Sequence, residues 1–454
     1  MTAVILFCLL SLFLVAGKIL RAGIPLLQRL YLPSSVIGGI AGLLLLQLFP
    51  SLVPADVRTY MSRLPGFLIN IIFASLFLGM ATPGLRKVVS MAFPQLCFGQ
   101  ILAWGQYVLG LGLAGFVLVP LFGIHPAFGN LLEIGFEGGH GTVGGMTQVF
   151  ESNNWSEGIA LGYTVATVGM ILAIVIGMAL VNWAHRRGFV REVVPFEQQN
   201  KLHRMGVYHR DEMPSAGRQT VLCDSIDSLA WHIALVGLAV AFGYLMLTGC
   251  QKAEIALFPD AAKRLFSGFP LFPLCMIGGL LIQKAMQRVK LDYLVDQGQM
   301  RRVAGAALDF LVVSAIATIR IEVVARHWVC LLALVVCGAI QAVLMVVFLA
   351  PKLFRNAWFE RAIADFGQGL GVTATGLLLL RTVDPESRTE AATAFGYKQL
   401  LHEPFMGGGI CTALALTLVF TIGWLKVFIA SCILLVIWSI AAFCVILSNR
   451  KARN

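Results

Sequence analysis

Residues 137–145 have the sequence EGGHGTVGG, and five of these nine residues are glycine. Each glycine inside a helix costs about 1 kcal/mol relative to alanine, so this segment is expected to unwind instead of continuing as a regular helix. A comparable segment, residues 357–385, contains FGQGLGVT at positions 366–373. Both segments lie between long apolar stretches, so the sequence predicts two irregular insertions in an otherwise apolar, helical chain.

The composition indicates a membrane protein. Of the 454 residues, 58% are hydrophobic and 13% are charged, whereas soluble domains carry about 25% charged residues. This balance excludes an ordinary soluble protein and a disordered chain. Because a membrane helix needs roughly 20 mostly apolar residues, the sequence predicts an all-α polytopic membrane protein with about eleven spans. The approximate predicted spans are residues 3–20, 34–50, 65–82, 94–122, 157–183, 228–249, 268–286, 303–320, 327–351, 391–420 and 424–447.

The basic residues predict which side of the membrane each loop occupies. If residue 1 lies outside and every predicted span crosses, 26 of the 34 Lys and Arg residues lie inside and eight lie outside. This asymmetry follows the positive-inside rule, so we expect the N-terminus outside and the C-terminus inside. No nucleic-acid partner is expected, because a basic nucleic-acid module gathers its charge on one folded face.

One polar linker divides the chain. Residues 184–227 are the only long polar stretch, with five predicted spans before them and six after them, and we expect this loop in the cytoplasm. Because five is odd, a second five-span unit must have the opposite orientation, which is the inverted repeat typical of secondary transporters. The expected organisation is a first repeat at residues 1–183, a second at 228–420, and an added C-terminal helix with a basic tail at 421–454.

The glycine-rich segments occupy matching positions in the two predicted repeats. Aligning Phe136 with Phe366 also aligns two glycine pairs at the same offset of 230, Gly139 with Gly369 and Gly141 with Gly371. Unwound backbone at membrane depth must be buried in protein or line a water-filled cavity. We therefore expect residues 126–155 and 357–385 to form re-entrant hairpins with tips near the midplane, where carbonyls bind a cation and helix N-termini face an anion. The alternative is that the glycines only permit close helix packing.

Three short motifs resemble those of a known family. The GGHGT sequence at 138–142 and the GLGVT sequence at 369–373 are similar to the paired glycine motifs of bacterial sodium/glutamate symporters. The resemblance covers about residues 1–420 and includes ATVG at 166–169. It implies Na⁺-coupled import of glutamate across the bacterial inner membrane by a homodimer, in which a binding domain moves against a scaffold.

Two features differ from that family. Glu137 lies where its better-known members have serine, and this chain has an eleventh predicted span, whereas those members end after ten. An added carboxylate beside a site for an acidic amino acid leaves the substrate open among glutamate, aspartate and simpler dicarboxylates. The coupling ion is open between Na⁺ and H⁺.

Polar residues within membrane spans are costly and are therefore candidates for function. Asp309 lies in the eighth predicted span, where the inverted copy in the third span has Asn70. Hard cations prefer oxygen ligands, so both residues are candidate Na⁺ ligands. The alternative is that Asp309 is protonated or hydrogen-bonded between helices. Asp365 opens the second hairpin and is a third Na⁺ candidate, although it could also cap a half-helix.

The candidate substrate-binding residues come from both hairpins. Arg381 could bind a substrate carboxylate in a bidentate pair, or it could extend to the inner interface. His140 could donate a hydrogen bond to an anion or brace its hairpin. Lys398, His402 and Glu403 precede a kink expected at Pro404 and either contact substrate or pair with one another. The further candidates are the backbone or side chains of Gly138, Gly139, Gly141, Thr142, Gln368, Gly369, Gly371, Thr373 and Thr375.

The sequence contains no enzyme motif. It has neither the phosphate loop G-x-x-x-x-G-K-[ST] nor the G-x-S-x-G nucleophile elbow. We expect no enzyme and no cofactor apart from Na⁺ as a coupling ion. An ion channel is the main alternative, because glycine-rich re-entrant loops also form selectivity filters. Two inverted halves that each contribute a hairpin favour a transporter.

Overall fold

A computed structural model describes residues 1–80, 85–190, 200–257, 266, 269–385 and 388–451. Regular structure in this part of the chain is helical and includes no strand, so the predicted all-α class is confirmed. Within these described ranges, six helices are long and apolar enough to cross a membrane, as expected of a polytopic membrane protein. These six lie at Thr2–Gly23, Met91–Phe122, Glu157–Arg186, Ser228–Leu257, Trp328–Leu353 and Trp424–Arg450.

The described helices overlap the predicted apolar stretches, but the third predicted span, residues 65–82, corresponds to a helix that begins ten residues earlier, at Ala55, and ends at Ser75. Before the linker they are α1 (Thr2–Gly23), α2 (Ser34–Leu48), α3 (Ala55–Ser75), α4 (Leu85–Leu113), α5 (Leu131–Phe136), α6 (Gly139–Gly145), α7 (Thr147–Ser152) and α8 (Glu157–Arg186). After the linker they are α9 (Ser228–Leu257), α10 (Phe272–Arg288), α11 (Gln297–Ala317), α12 (Trp328–Leu344), α13 (Trp358–Leu370), α14 (Thr373–Val383), α15 (Ala391–His402), α16 (Ile410–Ile422) and α17 (Trp424–Lys451). Short helical turns join several of them.

The predicted tenth span, residues 391–420, is not one kinked helix. Helix α15 ends at His402, and α16 begins only at Ile410. Between them Gly407 has φ +63° and Gly408 has φ +106°, values that glycine adopts without the steric cost that other residues meet. The GGG sequence at 407–409 therefore breaks the helix completely, whereas Pro404 alone predicted only a bend.

The helices form two groups that meet along one seam. The first group, here called the panel, contains α1, α2, α3, α9, α10 and α11. The second group, the core, contains α4, the segment 126–152, α8, and helices α12 to α17. Helix α6 lies at the seam, where Gly141 faces Ile69 of α3 and Leu311 of α11. The glycines of the first motif thus position a short helix between the two groups.

The core contains a π-helical turn in each half of the chain. One follows α4 at Ala114–Leu118, and the other follows α12 at Met345–Leu349, 231 residues later. A short helix with proline near its start comes next in both cases, with Pro120 in Val119–Phe122 and Pro351 in Ala350–Leu353. A proline ring clashes with the carbonyl four residues earlier in an α-helix, so a locally widened turn accommodates both prolines.

Helices α13 and α14 form a buried hairpin against α8. The two helices approach closely where Gly367 faces Gly376, and the tip lies at Gly371 and Val372. Val372 faces Gly139 at the start of α6, where Gly139 has a φ of +66°. The glycine motifs of the two halves therefore meet inside the core.

The two glycine-containing segments approach this meeting point from opposite ends of α8. His125 and Trp155, which flank the first segment, stack with ring centroids 4.8 Å apart beside the start of α8 at Glu157. Phe359, near the start of α13, contacts Trp183 near the end of α8 at Arg186. We call these two ends of the molecule the Glu157 face and the Arg186 face.

The linker and the last helix lie at the periphery. Residues 191–199 of the predicted linker are outside the described residues, and the remainder contains the short helix Lys201–Arg204. Asp296 accepts hydrogen bonds from the backbone of Arg218 in the linker and of Gln299 in α11. Burial alone would raise the pKa of Asp296, but these N–H groups hold it below its usual value. Helix α17 packs on α4, where Phe428 faces Gly112.

Candidate functional site

A buried polar cluster lies in the core where both hairpins meet α4 and the break between α15 and α16. We call it the central cluster. Its fully buried members come from four parts of the chain, and each is at most 6% exposed. They are Gln95, Gln100 and Tyr107 of α4, Glu133 and Glu137 of the first hairpin, Asp365 and Gln368 of the second, and Lys398, Gln399, His402 and Thr412 of the broken span. Thr373 and Glu403 complete the cluster at a partly open edge.

A chain of hydrogen bonds fixes the protonation of His402. The indole N–H of Trp104 donates to Gln100 Oε1 at 2.9 Å, so the amide nitrogen of Gln100 must face His402 Nδ1, 3.2 Å away. His402 Nδ1 therefore accepts a hydrogen bond and carries no proton. The remaining nitrogen, Nε2, contacts Glu137 Oε1. His402 is thus a neutral imidazole that donates to Glu137.

Lys398 fixes the orientation of two amides. Its ammonium group donates to Gln368 Oε1 at 2.9 Å and to Gln399 Oε1 at 2.8 Å. Because lysine has no acceptor, both amide oxygens must face it and both amide nitrogens must point away. Gln368 Nε2 consequently donates to Glu137 Oε1 at 3.0 Å. Lys398 Nζ also lies 3.5 Å from Asp365 Oδ1, as an ion pair beyond hydrogen-bond length.

Glu133 is surrounded by hydrogen-bond donors. Tyr107 donates to its Oε2 at 2.5 Å, and the backbone N–H of Gly407 donates to its Oε1 at 3.0 Å. Thr412 accepts the N–H of Gly408, so its own hydroxyl proton goes to Glu133 Oε1 at 2.8 Å. Donors of this kind favour the ionised carboxylate. The glycine break therefore supplies the buried carboxyl group of Glu133 with a backbone N–H.

Glu403 lies at the edge of the cluster. Thr373 donates to its Oε1 at 2.8 Å, and Gln399 Nε2 donates to the same oxygen at 2.8 Å. Gln399 Nε2 also donates to Thr373 Oγ1 at 2.7 Å. This triangle joins the start of α14 to the end of α15 and holds the carboxylate in place.

The central cluster has more carboxylates than cations. Its four carboxylates are Glu133, Glu137, Asp365 and Glu403. The cations near them are Lys398 and the buried Arg361, which lies one turn before Asp365 in α13 and also pairs with Glu390. Several buried oxygens in and beside the cluster have no hydrogen-bond partner among the described residues: Glu137 Oε2, Asp365 Oδ1, Gln95 Oε1 and Gln106 Oε1. All four are acceptors, and a buried acceptor without a donor is unfavourable. The cluster is therefore suited to receive a cation or a group rich in donors.

Six of the predicted candidates belong to the central cluster. Lys398, His402 and Glu403 make the contacts described above with other members of the cluster; the other three are Asp365, Gln368 and Thr373. Asp365 accepts a hydrogen bond from Gln95 Nε2 at 2.7 Å. Gln368 joins Glu137 to Lys398, and Thr373 bonds Glu403. Their roles in binding substrate or Na⁺ stay predictions.

The predicted residues of the first glycine motif surround the cluster. Thr142 Oγ1 donates to the carbonyl of Gly138 at 2.9 Å, and it lies 3.4 Å from the carbonyl of Gly407. His140 is buried and contacts Thr167 Oγ1 of α8 at 2.9 Å through Nε2. Its Nδ1 has no partner in the described part of the chain. His140 thus braces α6 against α8 and keeps one nitrogen unused.

In the second motif, the carbonyl of Gly369 accepts a hydrogen bond from Gln106 Nε2 at 2.7 Å. Gly371 forms the hairpin tip, and Thr375 is buried one turn beyond it. Arg381 lies at the exposed end of α14. Among the described residues it makes no ion pair, so its proposed contact with a substrate carboxylate stays a prediction.

The predicted Asp309 and Asn70 pair lies in the panel and outside the central cluster. Asp309 is an exposed residue of α11 that interacts with the hydroxyl of Ser35 in α2. The Asn70 amide donates to the carbonyl of Gly66 in its own helix at 2.9 Å, and its oxygen faces the Cys275 thiol at 3.9 Å. Their role as Na⁺ ligands stays a prediction that neither set of contacts tests.

Sequence reasoning missed several members of the cluster. Glu133, Tyr107 and Thr412 were not predicted, because each looks like an isolated polar residue in an apolar stretch. One signal was available in α4, where Gln95, Gln100 and Gln106 interrupt a long apolar helix. Such residues in a membrane helix need partners within the protein, and here all three donate to the rest of the core.

Two cavities lie along the seam at opposite faces. At the Glu157 face, a cavity of about 680 Å³ is bordered by Arg58 and Arg63 of α3, Arg320 after α11, and Thr147 and Tyr163 of the core. At the Arg186 face, a cavity of about 450 Å³ is bordered by Arg301 of α11 and by Thr373, Gln399 and Glu403. The second cavity therefore reaches the open edge of the central cluster.

These features define a polytopic helical membrane protein with a charged site buried in its core and a cavity at each face of the seam. The chain belongs to the sodium/glutamate symporter family, whose model matches residues 1–385. The resemblance seen in the sequence is thus confirmed. This is a family of membrane transporters and not a class of enzymes. No curated protein matches the chain.

The family match ends before α15 begins. Lys398, His402, Glu403 and Thr412 therefore lie beyond the matched residues, while Glu133, Glu137, Asp365 and Gln368 lie within them. With Gln399, five of the thirteen cluster residues thus lie outside the family match, and contacts in the folded chain place them at the site.

Proposed function

We propose that this protein is a sodium-coupled secondary transporter that imports glutamate or a related acidic amino acid by alternating access. It is proposed to lie in a bacterial inner membrane as a homodimer, with the Glu157 face outside and the Arg186 face in the cytoplasm. The positive-inside distribution of the 34 basic residues supports this orientation.

The observation that carries the proposal is the excess of buried carboxylates in the central cluster. Four carboxylates lie near two cations, Lys398 and Arg361, and Arg361 also pairs with Glu390 outside the cluster. His402 is neutral in its hydrogen-bond chain. Adding an anionic substrate to this site increases the uncompensated charge, and buried charge without a partner is very unfavourable. A cation that binds with the substrate offsets this charge. In this proposal the cation is Na⁺, and its binding links the inward movement of the anion to that of Na⁺.

The contacts of the two hairpins support an inverted repeat. The segments enter the core from opposite ends of α8, and their glycines meet where Val372 faces Gly139. The π-turns at Ala114–Leu118 and Met345–Leu349 give an independent pair of matching features. In this proposal both segments are re-entrant in the membrane, which allows irregular backbone only where it is buried in protein or lines a cavity.

The proposed transport cycle uses the seam between panel and core. Substrate and Na⁺ enter the cavity at the outer, Glu157 face, where three arginines outnumber the two glutamates Glu151 and Glu322 and attract an anion. Binding of the ions and binding of the substrate reinforce each other, because coupling between two sites is reciprocal. The core then moves against the panel and exposes the loaded site to the cavity at the Arg186 face.

Uptake into proteoliposomes tests the proposed function. We expect labelled glutamate or aspartate to accumulate when an inward Na⁺ gradient is imposed, with a Hill coefficient for Na⁺ above about 1, since the excess charge exceeds that of one cation. Accumulation that follows a proton gradient and ignores Na⁺ would instead indicate H⁺ coupling. If neither gradient drives uptake and saturating single-channel currents are seen, the protein is a channel.

A further inference from the structure

The cavity at the Arg186 face contains a carboxylate oxygen that the protein itself leaves unused. Both hydrogen bonds to Glu403, from Thr373 and Gln399, go to Oε1. The second oxygen, Oε2, has no hydrogen-bond partner among the described residues, and Glu403 lines the cavity. The volume of about 450 Å³ lies within the range of small-molecule sites.

The groups around Glu403 make a poor site for a metal ion. Lys398 holds Gln399 with its amide oxygen toward the ammonium group, so Gln399 presents its nitrogen to Glu403. The Thr373 hydroxyl directs its proton to Glu403 as well. Hard cations bind through several converging oxygen ligands, whereas here the neighbours of the carboxylate are donors. A single free oxygen beside an open cavity suits an ammonium group, which brings its own donors.

The opposite wall of this cavity has the opposite charge. Arg301 of α11 lines it from the panel side, and it forms no ion pair with Glu403 in the described structure. A molecule that carries both an ammonium and a carboxylate group can therefore lie across the seam, with one charge toward the core and the other toward the panel. A dicarboxylate without an amine has no group to offer Glu403.

We propose that Glu403 binds the ammonium group of the substrate in the cavity at the Arg186 face, with Thr373 and Gln399 positioning its carboxylate. The substrate is accordingly an amino acid, and simple dicarboxylates are excluded. This inference rests on the proposed function, because it assumes that the bound amino acid is the transported substrate. Binding measurements on the purified protein test it separately from transport.

The test compares glutamate with glutarate, which has the same two carboxylates and no ammonium group. In detergent with saturating Na⁺, labelled glutamate is bound to the purified wild-type protein and displaced by either compound. We expect glutarate to compete at least about tenfold more weakly than glutamate, since each tenfold difference in affinity corresponds to about 1.4 kcal/mol.

Glu403→Gln should remove the preference for glutamate over glutarate. The amide oxygen of the variant still accepts from Thr373 and Gln399, while its NH₂ faces the cavity and repels an ammonium group. We expect glutamate affinity to fall at least about tenfold and glutarate affinity to stay within about twofold. The matched control is Glu212→Gln, an exposed residue of the linker, which should leave both affinities unchanged.

Three outcomes would overturn the inference. Equal competition by glutamate and glutarate in the wild-type protein would show that no ammonium group is recognised. An equal loss of both affinities in Glu403→Gln would indicate a structural role only. If Glu403→Gln raised the apparent dissociation constant for Na⁺ and left the ratio of glutamate to glutarate affinity unchanged, Glu403 would be a sodium ligand. A different result would separate the two proposals. If the wild-type protein bound glutamate more tightly than glutarate as expected but showed no Na⁺-driven uptake, the proposed function would be wrong and this inference would stand.

Discussion

Lys398 is the residue on which the buried charge of the central cluster depends most directly. It contacts Gln368 and Gln399 and lies 3.5 Å from Asp365 Oδ1. It is also completely buried, although lysine is rarely so without a partner. The sequence showed a lysine within an apolar span but not which carboxylate it would meet, because Asp365 and Lys398 lie in different helices.

The Lys398→Met variant should be strongly destabilised. Removing one partner of a buried ion pair leaves the other charge uncompensated, at a cost of about 3–5 kcal/mol. We expect a lower thermal unfolding midpoint in detergent, and we expect Asp365→Asn combined with Lys398→Met to recover most of the loss. Lys426→Met, near the start of α17, is the control and should change little. A double variant as unstable as Lys398→Met would contradict the pairing.

The break between α15 and α16 is the element that most changes the expected architecture. Its glycines bring the N–H of Gly407 to Glu133 and place Gly408 beside Thr142 and Phe73. A continuous helix would use these backbone groups internally and leave Glu133 without them. The break therefore links the end of the second half to the hairpin of the first half.

Gly408→Ala should damage both stability and binding. A φ of +106° is strained for alanine, at about 1–3 kcal/mol, and the added Cβ would lie 2.9 Å from the Phe73 ring. We expect a lower unfolding midpoint and weaker glutamate binding, since the backbone near Glu133 must shift. Gly237→Ala in α9 is the control, because its Cβ meets no atom within 4 Å. Equal behaviour of the two variants would show that the break tolerates a side chain.

At the scale of the whole molecule, the two cavities lie on the same seam at opposite faces. Helices α3 and α11 run along the seam and contribute to both, through Ser62 and Ala317 at one end and through Ser75 and Ala304 at the other. Movement of the core along the panel would therefore widen one cavity as it narrows the other.

Thiol labelling should detect this movement. In a variant with the ten native cysteines replaced, Ser62→Cys reports on the cavity at the Glu157 face and Ala304→Cys on that at the Arg186 face. We expect Na⁺ with glutamate to change the two labelling rates in opposite directions by roughly 5- to 150-fold, because coupling energies are typically about 1–3 kcal/mol. Ser225→Cys, exposed in the linker, should be unaffected. Parallel changes at both faces would rule out alternating access.

The sequence by itself determined the helical membrane class and the family, because apolar length and the local GGHGT and GLGVT motifs are properties of neighbouring residues. It also indicated six members of the central cluster as site candidates: Asp365, Gln368, Thr373, Lys398, His402 and Glu403. Tertiary structure alone decided which distant groups meet: Glu133 with Tyr107 and the broken helix, and Glu137 with His402. The physical reason is that burial makes each charge depend on partners from other helices, and neither hydropathy nor motif spacing specifies those contacts.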